Sequence, residues 1–244
     1  MEKAVAKTHH ISVSNNYRYE RKFIYQGCTP EDLIETVVLT NSFCFREIFH
    51  RRTVNNIYFD DQAMSFYHQN VSGDELRDKY RLRWYGDAFE SINNPVLEIK
   101  KKHGAVGDKL SFALSGFTHN LQQSSLIETQ EKIHQEILDK HTPELALRLS
   151  RLTPSLYNSY ERRYFLSDCD TFRITIDYNM AFYNPHFSDY TISKAQLSDI
   201  VLELKYNVSD DKESRKLTQA LRSRLSKNSK YVRGVDLIHH QQSS

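Results

Sequence analysis

Apolar and polar residues alternate along seven segments of the chain, and this period of two predicts β-strands buried on one face. Tyr80, Leu82 and Trp84 share one face of such a strand. Arg81 and Arg83 fall on the opposite face. The predicted strands are Tyr17–Tyr25, Thr53–Asp60, Lys79–Tyr85, Val96–Lys102, Tyr157–Phe165, Thr171–Tyr178 and Ile200–Tyr206. A mainly antiparallel sheet is expected, since helical segments fall between only some of them.

Four helices are predicted from their caps and from apolar residues at helical spacing. Thr29 is an N-cap followed by proline and two acidic residues. Ser125 and Glu128 form a capping box, and Thr142 precedes another proline. Near the C-terminus, leucines recur every four residues at Leu217, Leu221 and Leu225. Strands and helices together predict an α+β protein.

One face is charged in at least five predicted strands, and the pattern Glu-x-Lys occurs at 20–22, 98–100 and 203–205. Two arrangements fit this pattern. Strands of an ordinary antiparallel sheet carry their charges outward into solvent. Alternatively, helices cover the apolar faces, and the charged faces line the inside of a closed barrel. A charged interior is costly unless it is hydrated or holds a ligand of opposite charge. Because cations outnumber acids on these faces, a polyanion is expected, with a divalent metal held by the acids.

Composition narrows the class of protein. The 244 residues carry 33 Lys plus Arg and 31 Asp plus Glu, so the net charge of +2 excludes a polybasic chain of the histone kind. Glycine occurs only seven times, and no GxxxxGK[ST] loop for nucleotide phosphates is present. The three cysteines lack the spacing of a disulfide framework or zinc site. Neither a signal peptide nor a transmembrane segment is visible, so a cytoplasmic location is expected.

No linker rich in Pro, Gly or Ser divides the chain, and one domain is predicted over residues 17–238. The polar segment 1–16 and the tail 239–244 are predicted to be flexible.

HExxH and GxSxG motifs are absent, which disfavours zinc-protease and α/β-hydrolase chemistry. Two acidic residues, Asp60 and Asp177, fit structural roles. Asp60 is expected to cap a turn. Asp177 fits either an acid inside the barrel or an ion-pair partner for Arg173.

Eight short motifs follow one another in a specific order. They are Tyr19-Glu20-Arg21-Lys22-Phe23, Ile57-Tyr58-Phe59-Asp60, Lys79-x-Arg81-x-Arg83-x-Tyr85, Leu97-Glu98-Ile99-Lys100, Tyr160-x-Arg162, Arg173-x-x-x-Asp177, Val201-x-Glu203-x-Lys205 and Ser226-Lys227-Asn228-Ser229-Lys230-Tyr231. In this order the sequence resembles the VTC domain over about residues 17–238. That domain is the polyphosphate polymerase of the vacuolar transporter chaperone family, a branch of the triphosphate tunnel metalloenzymes.

The resemblance implies a tunnel fold, which is a closed antiparallel β-barrel of about eight strands with helices packed outside. It implies catalytic roles for Arg81, Arg83, Lys100 and Glu203. Phosphate binding is implied for Lys22, Tyr160, Arg162, Arg173, Lys205, Lys227, Ser229 and Lys230. The implied ligands of Mn²⁺ or Mg²⁺ are Glu203, Glu98 and Glu20.

Three functions are compatible with these residues. The resemblance favours a metal-dependent phosphotransferase that moves the γ-phosphate of ATP, or of another nucleoside triphosphate, onto a growing inorganic polyphosphate chain. A triphosphate hydrolase of the same fold needs the same cations, with Glu98 or Asp177 orienting the attacking water. A non-catalytic receptor for polyphosphate or nucleotide is the third candidate. Nucleic acid is not an expected partner, and a membrane protein is a candidate partner.

Overall fold

The structure is a computed structural model, and it describes residues 18–103, 106–186, 194–221 and 223–242. The predicted flexible segment 1–16 lies outside the described residues, as do the last two residues of the predicted tail. The final helix continues to Gln242, within the range predicted as that tail.

All seven predicted strands are present, and the structure adds four more, three of which have only three or four residues. Within the described residues the strands are β1 (Arg18–Tyr25), β2 (Arg46–Asp60), β3 (Leu76–Tyr85), β4 (Ser91–Asn93), β5 (Val96–His103), β6 (Val106–Ala113), β7 (Thr118–Asn120), β8 (Thr153–Leu166), β9 (Arg173–Tyr183), β10 (Lys194–Leu197) and β11 (Ile200–Asn207). Strand β2 starts seven residues before its predicted start, because its first half pairs with β8 through register shifts that interrupt the alternation.

Nine of these strands form one antiparallel sheet in the order β1-β11-β9-β8-β2-β3-β5-β6, with β10 added beside β9. β4 and β7 form a separate ribbon. The sheet is strongly curved, since Glu20 on β1 lies 3.5 Å from Lys100 on β5, near the other end of the order. Within the described ranges no backbone pairing joins β1 to β6. The α+β class is therefore confirmed, whereas the closed barrel stays a prediction.

Six α-helices accompany the sheet in the described residues. They are α1 (Pro30–Leu33), which continues as a π-helical segment (Ile34–Leu39), α2 (Ser65–Ser72), α3 (Leu126–Lys140), α4 (Pro143–Ser150), α5 (Asp211–Ala220) and α6 (Lys230–Gln242). Thr29, Ser125 and Thr142 cap their helices as predicted. The predicted extension to Leu225 is wrong, because α5 ends at Ala220 and Leu225 instead bridges to Phe23 on β1.

Helices cover the apolar face of the sheet, as the alternation predicts. Ile133 of α3 and Leu149 of α4 are fully buried in one cluster with Leu82 and Leu97 of the sheet. Helices α1 and α5 cover β9 and β11 in the same way. Burial of apolar area on this scale is the main stabilising contribution to such a fold. The opposite face, which bears the charged residues, is therefore the concave face of the sheet.

Helix α6 is the exception, because it packs on the concave face. Val235 and Ile238 lie in a third core cluster with residues of β2, β8 and β9. The contact is close at Gly234, where a Cβ would stand 2.4 Å from Phe182 Cδ1 and 2.6 Å from Leu156 Cδ2. A larger residue there would force the buried side chains of Phe182 and Leu156, or the helix itself, to shift. The helix thus fills one part of the concave face and leaves the charged part open.

Asp60, the last residue of β2, helps to fix the position of α6. Its carboxylate accepts hydrogen bonds of 2.9 Å from the backbone N–H groups of Phe66 and Tyr67, at the start of α2. The hydroxyl of Tyr231 in α6 donates to the same carboxylate at 2.5 Å. Asp60 was expected to cap a turn; the structure shows it capping the start of helix α2 instead, and the residue also joins α2 to α6.

Candidate functional site

A cavity lined mainly by cations lies on the concave face beside the first turn of α6. We name it the basic cavity. Its lining residues come from β1, β2, β3, β5, β8, β11 and α6, together with Ser229, which immediately precedes α6. They are Glu20, Lys22, Tyr58, Lys79, Arg81, Arg83, Lys100, Tyr160, Arg162, Glu203, Lys205, Ser229, Lys230 and Tyr231. Eight of these are Lys or Arg and two are Glu. Such a charge excess calls for an anionic ligand.

Arg81 and Arg83 of β3 are held in place from β5. Glu98 pairs with Arg81 across the strands, and its Oε2 lies 2.6 Å from Arg81 Nε and 3.6 Å from Arg83 Nη1. Lys109 contacts the other oxygen of Glu98. Burial by itself would raise the pKa of Glu98, but these three cations hold it well below its ordinary value. The carboxylate is thus ionised and fully engaged.

The two acids of the cavity share its lysines. Glu20 lies 3.2 Å from Lys22 and 3.5 Å from Lys100. Glu203 lies 2.5 Å from Lys205 and 3.7 Å from Lys22. Burial alone would raise the pKa of Glu203, but Lys205, Lys22 and a nearby arginine outweigh it and hold the pKa well below the usual range. Both carboxylates are therefore negative charges facing the cavity.

Asp177 lies behind the cavity and organises two of its cations. It is fully buried and contacts both Arg162, at 2.5 and 2.7 Å, and Lys230, at 2.5 Å. Burial favours the neutral acid, but Arg162 and Lys230 lower the pKa of Asp177 to about 2. Of the two roles open to Asp177, the ion pair is therefore observed, although with Arg162 rather than Arg173.

Lys79 is a cation of the cavity whose charge is not balanced by a nearby carboxylate among the described residues. Its Nζ donates to Ser229 Oγ at 2.9 Å, and within the described ranges no carboxylate oxygen lies within 4.0 Å of it. Burial and the nearby charges of Lys22 and Lys100 lower the pKa of Lys79 to about 7. Burial also lowers the pKa of Lys100, to about 8, although Glu20 partly opposes the shift. An anion bound beside Lys79 would supply its missing partner.

A sequence model of the VTC domain matches residues 3–239, which is nearly the whole chain. The chain belongs to the VTC domain family. Among solved structures, the PH1819 protein from Pyrococcus horikoshii OT3 is similar, with 14% identity, coverage of 92% of this chain and 98% of that chain, and a TM-score of 0.46. No curated protein matches the chain significantly. No helix in the described part of the chain has the length and apolarity needed to cross a membrane.

Most of the predicted site residues of this VTC domain meet in the basic cavity. Eleven of them line it: Glu20, Lys22, Arg81, Arg83, Lys100, Tyr160, Arg162, Glu203, Lys205, Ser229 and Lys230. Three predicted residues do not. Arg173 and Lys227 are exposed outside the lining, and Glu98 lies behind Arg81. Arg173 shares the face of Asp177 but sits at the solvent end of β9.

Three lining residues were absent from the predicted set. Lys79 belongs to the same alternating face as Arg81, so its position in the strand was a usable signal. Tyr58 pairs with Arg81 across the strands. Tyr231 follows Lys230 in the first turn of α6. The sequence pattern does not predict that Tyr231 faces the cavity, because this orientation depends on α6 packing inside the curved sheet.

The donor set of the VTC domain fits Mg²⁺ or Mn²⁺ held jointly with phosphate. No group of three or more His, Cys, Asp or Glu residues suited to a metal occurs among the residues described. However, Mg²⁺ is commonly bound by one or two carboxylates together with substrate phosphates. Glu20 and Glu203 supply two ionised carboxylates in the cavity, whereas Glu98 is taken up by three cations.

Proposed function

We propose that this VTC domain binds a nucleoside triphosphate and inorganic polyphosphate in the basic cavity and transfers the γ-phosphate of ATP to the growing chain. The observation that carries the proposal is the excess of eight cations over two carboxylates in one cavity. The contact between Glu20 on β1 and Lys100 on β5 supports a sheet that wraps around a chain-like ligand, as the predicted tunnel would.

Phosphoryl transfer depends on charge neutralisation and alignment more than on covalent chemistry. Arg81, Arg83 and Arg162 offer planar donors for phosphate oxygens, and their buried carboxylate partners fix them before the ligand arrives. Lys22 and Lys205 add point charges. Mg²⁺ or Mn²⁺, held by Glu203 with Glu20, would neutralise phosphate oxygens when bound. The terminal phosphate of the chain is already ionised and needs no strong base.

The acids behind the cavity favour transfer to phosphate over hydrolysis. A hydrolase needs a carboxylate that orients water, and Glu98 and Asp177 were the candidates. Glu98 is engaged by Arg81, Arg83 and Lys109, and Asp177 by Arg162 and Lys230. Neither carboxylate lines the basic cavity. Hydrolysis of triphosphate is the alternative outcome, and the analysis of products distinguishes it from transfer.

Product analysis tests the proposal. The purified protein is incubated with ATP and Mn²⁺ or Mg²⁺, polyphosphate is resolved on a gel, and free phosphate is measured in parallel. Metal-dependent chains that are absent from the Glu203→Gln variant are the expected result. Free phosphate without chains would identify a hydrolase. Tight binding of polyphosphate without any turnover would identify a receptor.

Anion binding is expected to weaken as the pH rises. Lys79, with a pKa of about 7, is largely neutral in the free protein above that pH, whereas a bound polyanion favours its charged form. Binding therefore takes up a proton, and affinity for tripolyphosphate falls by up to about tenfold per pH unit above pH 7. The Lys79→Arg variant keeps its charge, so its affinity should fall less steeply. Affinities are measured by calorimetry over a range of pH. If affinity fell equally steeply with pH for the two proteins, Lys79 would not be the group that takes up the proton.

A further inference from the structure

The concave face carries an exposed group of aromatic rings just beyond the basic cavity. Phe49 and Tyr85 expose 46% and 48% of their surface, and they lie next to each other, so they form an exposed aromatic patch rather than isolated exposed residues. Together with Arg52 and Tyr164 they form a cluster that we name the aromatic–arginine cluster. The guanidinium of Arg52 lies 4.5 Å from the ring centroid of Phe49, 5.4 Å from that of Tyr85 and 5.7 Å from that of Tyr164.

The strand register connects this cluster to the cavity. Tyr85 follows Arg83 by two residues on β3, and Tyr164 follows Arg162 by two residues on β8, so each tyrosine shares the face of its arginine. One such step advances about 7 Å along a strand. The ring of Tyr164 also lies 5.9 Å from the guanidinium of Arg162. The cluster is therefore continuous with the cation-lined surface.

We propose that the aromatic–arginine cluster binds the nucleobase of the nucleoside triphosphate by stacking, while the phosphates lie in the basic cavity. The inference rests on the proposed function, and it adds the position of the base and the direction in which the nucleotide lies. One strand step separates the last phosphate-binding arginines from the rings, and the ribose and α-phosphate of a nucleotide span a similar distance. Exposed aromatic rings and arginine are the usual stacking surface for bases.

This placement also explains why these rings are exposed. The other aromatic residues of β3, Tyr80 and Trp84, face the opposite side and are buried in the apolar core, where they stack on Phe66 and Tyr157. Tyr85 breaks the charged pattern of its own face at the outermost position, where solvent reaches it. A base stacked there stays outside the cationic part of the site. Inorganic polyphosphate, which has no base, does not use the cluster.

Equilibrium binding of two ligands separates the roles. The β,γ-imido analogue of ATP and tripolyphosphate share the triphosphate chain, but only the analogue has a base. For Tyr85→Ala, the Kd of the analogue is expected to rise by about tenfold, the size of a base-stacking contact. The Kd of tripolyphosphate should stay within about twofold, because the phosphate contacts are untouched. Tyr85→Phe, which keeps the aromatic ring, should bind the analogue about as tightly as the original protein does.

Tyr19→Ala is the matched control, since Tyr19 is a 40% exposed tyrosine of β1 that packs on Tyr206 instead. It should change neither Kd. If Tyr85→Ala weakened the binding of both ligands equally, or of neither, the base site would be overturned while the proposed function stayed intact. Failure of the unmodified protein to bind either ligand would overturn the proposed function, and the base site with it.

Discussion

Replacing Glu203 by Gln is expected to lower kcat/KM for ATP by about 10²–10³-fold, the usual effect of removing one electrostatic group from an active site. Glu203 is buried, ionised and faces the cavity between Lys205 and Lys22. The amide keeps its size but loses the charge that a divalent metal needs. A negative charge is lost from a cationic cavity, so tripolyphosphate binding without metal should become tighter. Steady-state kinetics with a metal titration and calorimetry in chelator measure the two effects.

The opposite directions of these two effects make the prediction specific. A variant that was merely misfolded would lose both catalysis and anion binding. The matched control is Glu47→Gln, which removes an exposed carboxylate paired with Arg163 outside the basic cavity. It should leave kcat/KM unchanged. Full activity of Glu203→Gln would show that this carboxylate is not needed for metal-dependent transfer.

Replacing Asp177 by Asn is expected to lower the free energy of unfolding by about 3–5 kcal/mol, the range for breaking a buried ion pair by removal of one partner. The loss leaves Arg162 and Lys230 buried next to each other without their shared carboxylate. Urea denaturation measures the change. Tripolyphosphate should stabilise the variant more than the original protein, because the ligand supplies negative charge to the same two cations.

The pH dependence of stability checks the same ion pairs. With its pKa lowered to about 2, Asp177 contributes stability at pH values above its ordinary pKa of about 3.9, and this contribution disappears as the pH falls toward 2. The variant should lack that part of the acid transition. Arg163→Met breaks the more exposed pair with Glu47 and should cost no more than about 1 kcal/mol. Similar losses for the two variants would contradict the buried role of Asp177.

The apolar side of the fold could be predicted from local patterns. Alternation in Lys79–Tyr85 and Ile200–Tyr206 predicted strands that the structure contains, and the caps at Thr29, Ser125 and Thr142 mark real helix starts. The prediction failed where pairing is irregular. The first half of β2 was missed because register shifts against β8 break its alternation.

Helix α6 shows what local patterns leave out. Its sequence carries Gly234 and a short apolar stripe, features that do not distinguish an inner from an outer helix. Its place on the concave face follows from contacts with distant strands and from the hydrogen bond between Tyr231 and Asp60. That placement brings Ser229 and Lys230 to the basic cavity, although they lie far along the chain from Lys79 and Arg81.

The sequence by itself determined the composition of each strand face, because a period of two assigns every side chain to one side. It therefore predicted eleven residues of the basic cavity, and through the ordered motifs it identified the family. Only the tertiary structure decided which charges meet. Strand order, sheet curvature and the inner position of α6 placed Asp177 with Arg162, set Glu98 behind Arg81, and left Arg173 in solvent. These outcomes depend on distances between strands remote in sequence, and no local pattern encodes such distances.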